Sequence, residues 1–200
     1  MNTRSLACSL LVAGLSLPVL GVGPRTSERF SFSTYKEETS AYVALVDGYP
    51  ASLRGDARYV PVPIAFGLRG GIPNLVLDSE SFELIDSGGT VYPLAGYGEV
   101  TSGYDMMSFD RALLEKRPLV AGLKFATSHR VTSRFFPAPG RDLRVGRVEL
   151  GPYTWFSDLL YFPRPEAGLD GVLTLRIKGR GLTTPIEIRF VTQEDKRRSG

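Results

Sequence analysis

Along most of the chain, apolar residues recur at every second position in short runs that Gly and Pro close. The clearest run is Arg58–Leu68. There Val60, Val62, Ile64, Phe66 and Leu68 fall on one face, and Pro61 and Pro63 fall on the other. A period of two is that of a strand, whose side chains point alternately to opposite faces. The prolines lack an N–H, so this strand is expected at a sheet edge, or paired on one side only. Gly70-Gly71 ends it.

Further strand candidates are the runs Ala41–Val46 and Asn74–Leu77. Ser81–Asp86 leads into Ser87-Gly88-Gly89 and returns as Thr90–Leu94. A Gly-Gly pair supplies positive φ between two apolar arms, which predicts a hairpin. Leu143–Leu150, the aromatic-rich Thr154–Phe162, Leu173–Ile177 and Ile186–Phe190 complete the set. An antiparallel pairing of the last two would set Arg176 or Lys178 across from Glu187 on the wet face.

The middle of the chain departs from this pattern. Ser108 can cap a short helix over Phe109–Arg117, with Phe109, Leu113 and Leu114 as its apolar stripe and Pro118 as its stop. Leu119–Phe136 mixes helical and strand cues, and Pro137-Ala138-Pro139-Gly140 breaks the chain. Turn signals recur at intervals of about 8–12 residues, and strands do not alternate with helices. The predicted fold is all-β: an antiparallel β-sandwich with a short helical insertion around 108–117.

The first residues carry a different signal. Arg4 precedes the apolar stretch Leu6–Val22, and small residues follow, which is the plan of a secretory signal peptide over 1–23, cut after Gly21. The stretch sits at the short end of what spans a bilayer, so an uncleaved N-terminal anchor is the alternative. Cys8 lies early in the apolar run, which does not suit a lipoprotein signal. The expected organisation is a signal at 1–23, a flexible polar leader at 24–39, a sandwich domain at 40–192 and a charged tail at 193–200. The mature chain is expected to be exported, to the periplasm or beyond the cell, and soluble once the signal is removed.

Composition narrows the chemistry. In 200 residues there are Gly 22 and Pro 14, which argues against a helical bundle. Removal of Cys8 would leave no disulfide, so a core must hold the domain. His129 is the sole imidazole of the chain. A zinc site of His and Cys is thereby excluded, and a serine triad would need His129 itself, in a sequence without a Gly-x-Ser-x-Gly elbow. Asp78, Glu80, Glu83 and Asp86 flank one hairpin arm without the spacing of a calcium loop, and read best as surface charge. Lys178-Gly179-Arg180-Gly181 lacks the ending of a phosphate loop and precedes a strand. No catalytic residue, metal or cofactor is assigned.

Two clusters remain as candidate binding residues. Arg130, Arg134, Arg141, Arg144 and Arg147 surround Phe135 and Phe136, and the net charge is +3. Basic residues among aromatics suit single-stranded nucleic acid, but export makes an anionic surface, such as lipid headgroups or an acidic glycan, the better target. Tyr153, Trp155, Phe156, Tyr161 and Phe162 form the second cluster. Most are expected in the core, while Tyr153, Trp155 and Tyr161 could form a platform for sugars.

Tyr59–Phe66, the arm Glu80–Gly89, the return Tyr92-Pro93-Leu94, and later Phe135-Phe136-Pro137 and Leu159–Pro163 resemble uncharacterised secreted bacterial proteins with an immunoglobulin-like β-sandwich. The resemblance covers about residues 40–192. It implies an immunoglobulin-like topology and a non-enzymatic, exported, all-β domain of unknown partner. Sandwich loops and edge strands make a binding or structural module of the cell envelope the leading expectation, with an envelope protein or a glycan as partner and no nucleic acid. The alternatives are an exported hydrolase using paired carboxylates, and a carbohydrate-binding module. The functional surface is expected within Gly96–Pro139.

Overall fold

The computed structural model describes residues 26–119, 123, 129–140 and 143–192. The expected signal at 1–23 and the charged tail at 193–200 lie outside the described residues. In chain order the elements are β1 Glu28–Arg29, β2 Thr34–Glu38, β3 Tyr42–Asp47, α1 Tyr49–Ser52, β4 Tyr59–Leu68, β5 Leu75–Asp78, β6 Phe82–Ile85, β7 Val91–Pro93, α2 Tyr97–Gly103, α3 Met107–Lys116, β8 His129–Arg130, β9 Arg147–Leu150, β10 Thr154–Pro163, β11 Val172–Ile177 and β12 Ile186–Val191.

The fold is all-β and sandwich-like. A six-stranded sheet runs β1-β2-β3-β4-β10-β8, a four-stranded sheet runs β12-β11-β6-β7, and β5 pairs with β9. Every pair is antiparallel except β8 with β10. One apolar core gathers side chains from both large sheets, among them Val62, Ile64, Phe66, Leu84, Phe156, Leu175 and Phe190. Hydrogen bonds join the sheets at their margins: Ser27 N–H donates to the Arg189 carbonyl at 2.9 Å, and Ala95 N–H to the Tyr161 carbonyl at 2.9 Å.

All ten residues of β4 are buried. The strand lies inside the six-stranded sheet, and its prolines explain how. β3 pairs with Ile64–Leu68 only, whereas β10 pairs with Tyr59–Gly67. Pro61 and Pro63 thus fall where the ladder runs on one side, as a residue without a donor requires. The hairpin forms as predicted, with Ile85 opposite Val91 and Leu84 opposite Tyr92. Gly89 takes φ +86°, and Asp86 Oδ1 accepts from the N–H groups of Gly88 and Thr90, both at 2.9 Å. That is the Asx geometry that lets aspartate shape a turn. Arg176 faces Glu187, and its Nε donates to Oε1 at 3.0 Å; Lys178 reaches Glu83 instead.

Glycine is required where the chain crosses β5. A Cβ on Gly179 would stand 2.7 Å from the methyls of both Leu75 and Leu77, and Gly181 adopts φ +114° against the Asn74 carbonyl. This close approach lets Val76 N–H donate to the Arg180 carbonyl at 3.0 Å. It accounts for the two glycines of the Lys-Gly-Arg-Gly sequence.

Two expectations are corrected. The leader expected at 24–39 contains β1 and β2, and Tyr35 inside it is fully buried against Phe190. The stretch is polar because β1 is an edge and one ring supplies most of its anchorage. The helical insertion is larger than 108–117. It holds α2 and α3, and α3 begins at Met107 with no side-chain cap from Ser108. Phe109 is exposed, with the Arg54 guanidinium over its ring. The inward positions are Met107, Asp110, Arg111 and Leu114, spaced three and four apart as one helix face. Among the described residues, no helix is long and apolar enough to cross a membrane.

Candidate functional site

The outer face of the six-stranded sheet carries small residues, Ala65 and Gly67, at positions of β4 opposite Ser157 and Trp155 of β10. Leu119 and Leu123 pack onto this face with Val43, Leu45 and Ala65, and Trp155 packs beside them. Trp155 is therefore held from below. β8 then brings Arg130 into register with Trp155, fixed by Val131 N–H donating to the Trp155 carbonyl at 2.7 Å. The Arg130 guanidinium lies over the indole, 5.5 Å from the ring centroid. A cation stacked on tryptophan is both attracted and oriented.

Beyond Trp155 the edge of β10 is covered by residues 133–136. Phe135 N–H donates to Asp158 Oδ2 at 2.8 Å, and Leu159 N–H donates to Asp158 Oδ1 at 2.8 Å. Arg111 of α3 reaches the same carboxylate, Nη2 to Oδ1 3.2 Å, and also donates to the Phe136 carbonyl at 2.7 Å. Asp158 is wholly buried. A buried carboxylate with a guanidinium and two amide donors has its charge met, which is the condition for keeping it there.

Between α3 and these strands lies a groove of about 680 Å³. Its polar lining is Arg111, Glu115, Arg130, Ser133, Arg134 and Ser157, and Trp155 forms its principal ring. Among the described residues, three guanidinium groups and one carboxylate make the lining electropositive. Arg134 is held by its backbone, exchanging hydrogen bonds with Val145 at 3.1 and 2.9 Å.

A second polar cluster lies deeper. Asp110 of α3 accepts from Arg54 Nη2 at 2.7 Å, from the Tyr104 hydroxyl at 2.6 Å and from the Tyr161 hydroxyl at 3.2 Å. Burial, then its hydrogen bond to Asp110 and the charge of that carboxylate, push the Tyr104 phenol well above its usual pKa. Burial and then the Asp110 charge push Tyr161 further still. This cluster ties α3 to β10.

The structure brings together three of the five residues singled out from the sequence. Trp155, Arg130 and Arg134 line one groove. Tyr153 is exposed on the turn before β10, in a left-handed conformation at φ +61°, outside the groove lining. Tyr161 is fully buried and bonded to Asp110, so the three-ring sugar platform does not form. Phe156 and Phe162 are core residues as expected. The basic cluster is also dispersed. Phe135 and Phe136 are buried, Arg144 lies over the Tyr97 ring, and Arg147 pairs with Glu149 at 2.6 Å; Arg141 lies outside the described residues.

The sequence pattern does not single out Arg111, Glu115, Ser133 or Ser157. Arg111 sits on a helix where an exposed cation is ordinary; only the inward spacing with Met107 and Leu114 marks it. The four acids of the hairpin arm are largely engaged. Asp78 caps the turn Ser79–Ser81, Glu83 pairs with Lys178 and Arg176, and Asp86 shapes the hairpin. His129 is exposed on β8, its N–H bonded to the Tyr153 carbonyl. Among the described residues, no group of three or more His, Cys, Asp or Glu side chains is placed to hold a metal.

In comparisons with known proteins, the chain matches no family model, no curated protein and no solved structure.

Proposed function

We propose that this chain is an exported binding module of the bacterial cell envelope, and that its groove takes an acidic glycan. The observation that carries this reading is the convergence of Arg111, Arg130 and Arg134 around the half-buried Trp155. A guanidinium presents a planar fork that matches a carboxylate or sulfate with two hydrogen bonds. Arg130 is preset by its indole and Arg111 by Asp158. Ordering them in advance lowers the entropy cost of binding. Ser133 and Ser157 add hydroxyls of the kind that meet sugar hydroxyls, and the volume suits a few sugar rings. The immunoglobulin-like description belongs to this proposal too, supported by two sheets, antiparallel but for the β8–β10 pair, closed over one core.

The geometry favours binding over the hydrolase alternative. Hydrolysis by paired acids needs two carboxylates facing a common space about 5–10 Å wide. The groove lining presents Glu115, while Asp158 is occupied by Phe135, Leu159 and Arg111.

Calorimetric titration with oligogalacturonate and with a neutral glucan tests the proposal. The acidic oligomer is expected to bind, and the double variant R130A/R134A to bind it at least about tenfold more weakly, the scale of 1.4 kcal/mol. Equal binding of the neutral glucan, or full binding by the double variant, would overturn it.

A further inference from the structure

The turn that leads into β10 holds a residue that local backbone rules disfavour. Thr154 N–H donates to the Gly151 carbonyl at 3.2 Å, which closes a four-residue turn over Gly151, Pro152, Tyr153 and Thr154. The Thr154 hydroxyl donates to the same carbonyl at 2.7 Å. Pro152 suits the second place of such a turn. The third place takes φ +61°, where glycine or asparagine is the usual occupant, yet Tyr153 stands there. Among the described residues it is the one non-glycine residue with positive φ. A bulky side chain in that region costs stability, and glycine would make the same turn without strain.

Core packing does not account for the ring. Tyr153 is 57% exposed. Phe109 is exposed to a similar degree but lies under the Arg54 guanidinium. Among the described residues, no cation and no second ring engages Tyr153. Its backbone is nonetheless fixed, because the Tyr153 carbonyl accepts from His129 N–H at 3.0 Å. The same pair of strands sets Thr154 opposite His129 and Trp155 opposite Arg130. Tyr153 is therefore an exposed ring on a braced turn, about 7 Å of strand from the tryptophan of the groove. Strain that the surrounding structure maintains is a mark of functional positions.

We propose that Tyr153 is an outer subsite of the groove, on which a further sugar ring of the acidic glycan stacks beyond those engaged by Trp155 and Arg130. The proposal rests on the groove reading above and extends it. A tyrosine ring offers a broad apolar face to a sugar, and its braced turn leaves little backbone freedom to lose on binding. The subsite lies outside the groove lining, so only an oligomer that projects past the groove reaches it. Its signature is thus a dependence on ligand length.

Calorimetric titration of the full chain with trigalacturonate and hexagalacturonate tests this. Y153G removes the ring and relieves the backbone, while Y153F keeps the ring. The parent chain is expected to bind the hexamer more tightly than the trimer. Y153G is expected to unfold at or above the parent's thermal midpoint, to bind the trimer as the parent does, and to bind the hexamer about fivefold more weakly. Y153F should match the parent with both. A Y153G chain that keeps full affinity for the hexamer, or loses as much for the trimer, would overturn the subsite and leave the groove reading standing. So would a parent chain that does not distinguish the two lengths, or a Y153F chain as weak as Y153G. A parent chain that binds neither oligomer would overturn both.

Discussion

Arg111 on α3 and Asp158 on β10 form an ion pair, Nη2 to Oδ1 3.2 Å, beneath the groove. The pair joins the helical insertion to the sheet. It also aims one of the three guanidinium groups of the candidate site. Asp158 holds Phe135 N–H and Leu159 N–H at the same time. Its removal would strand two buried donors and leave Arg111 with the Phe136 carbonyl alone of these partners. D158A is therefore expected to destabilise the fold by about 3–5 kcal/mol, as breaking a buried pair does. R111M, which leaves both amide donors on the carboxylate, is expected to cost clearly less. Urea unfolding of the two variants checks the order.

The Asp110 cluster gives a dependence on high pH. The Tyr161 and Tyr104 phenols titrate above their ordinary values in the fold, through burial and then Asp110. A raised phenol pKa favours the fold fully below the unfolded value, about 10, and that advantage is lost as pH rises above it. The protein is expected to lose stability progressively above about pH 10. Y161F should cost about 1–3 kcal/mol at neutral pH through the lost bond to a buried carboxylate. It should also make the alkaline decline shallower, because one fewer phenol titrates. Unfolding midpoints from pH 7 to 12 would show a slope unchanged by Y161F if the account is wrong.

Asp86 acts at the opposite limb. Its partial burial pushes the carboxyl up, but the Thr90 N–H, Tyr92 hydroxyl and Gly88 N–H outweigh this and hold it below its ordinary value. Such a group stabilises the fold fully above the unfolded value, about 3.9, and the contribution is lost as pH falls through the lower folded value. D86N is expected to reduce stability at neutral pH and to weaken the acid dependence between about pH 4 and 2. Acid titrations of both proteins, followed by circular dichroism, provide the comparison.

Gly181 tests the account of the Lys-Gly-Arg-Gly turn. Its φ of +114° and its approach to the Asn74 carbonyl leave no room for a side chain. G181A is expected to cost about 1–3 kcal/mol, the scale of backbone strain. Gly55, which has nothing around its Cβ position, is the control. G55A should change stability little, and equal effects in thermal unfolding would refute the steric argument.

The strands of the core were legible because alternation survives wherever a face is buried. Val60 to Leu68, the Gly88-Gly89 hairpin and the Arg176–Glu187 pair follow directly from it. β2 is not legible, since Thr34–Glu38 offers one apolar ring among charges, beside the two-residue edge strand β1. α2 was hidden by its glycines: Gly96 precedes it, and Glu99 bonds back to the Gly96 N–H at 3.2 Å. In the candidate site, Arg130, Arg134 and Trp155 could be picked out by residue type. Tyr161 looked no different from Trp155 in the sequence, yet faces Asp110. The inward carboxylate and guanidinium of α3 read as surface charge, because only folding pairs them with Tyr161 and Asp158.

The groove proposed to take an acidic glycan is lined by Trp155, the sole Trp of the chain. The most direct measurement is its fluorescence during titration with oligogalacturonate at low and high salt. A saturable change that weakens as salt rises and is absent with a neutral glucan is expected. An emission that does not respond, or that responds equally to the neutral sugar, would contradict it.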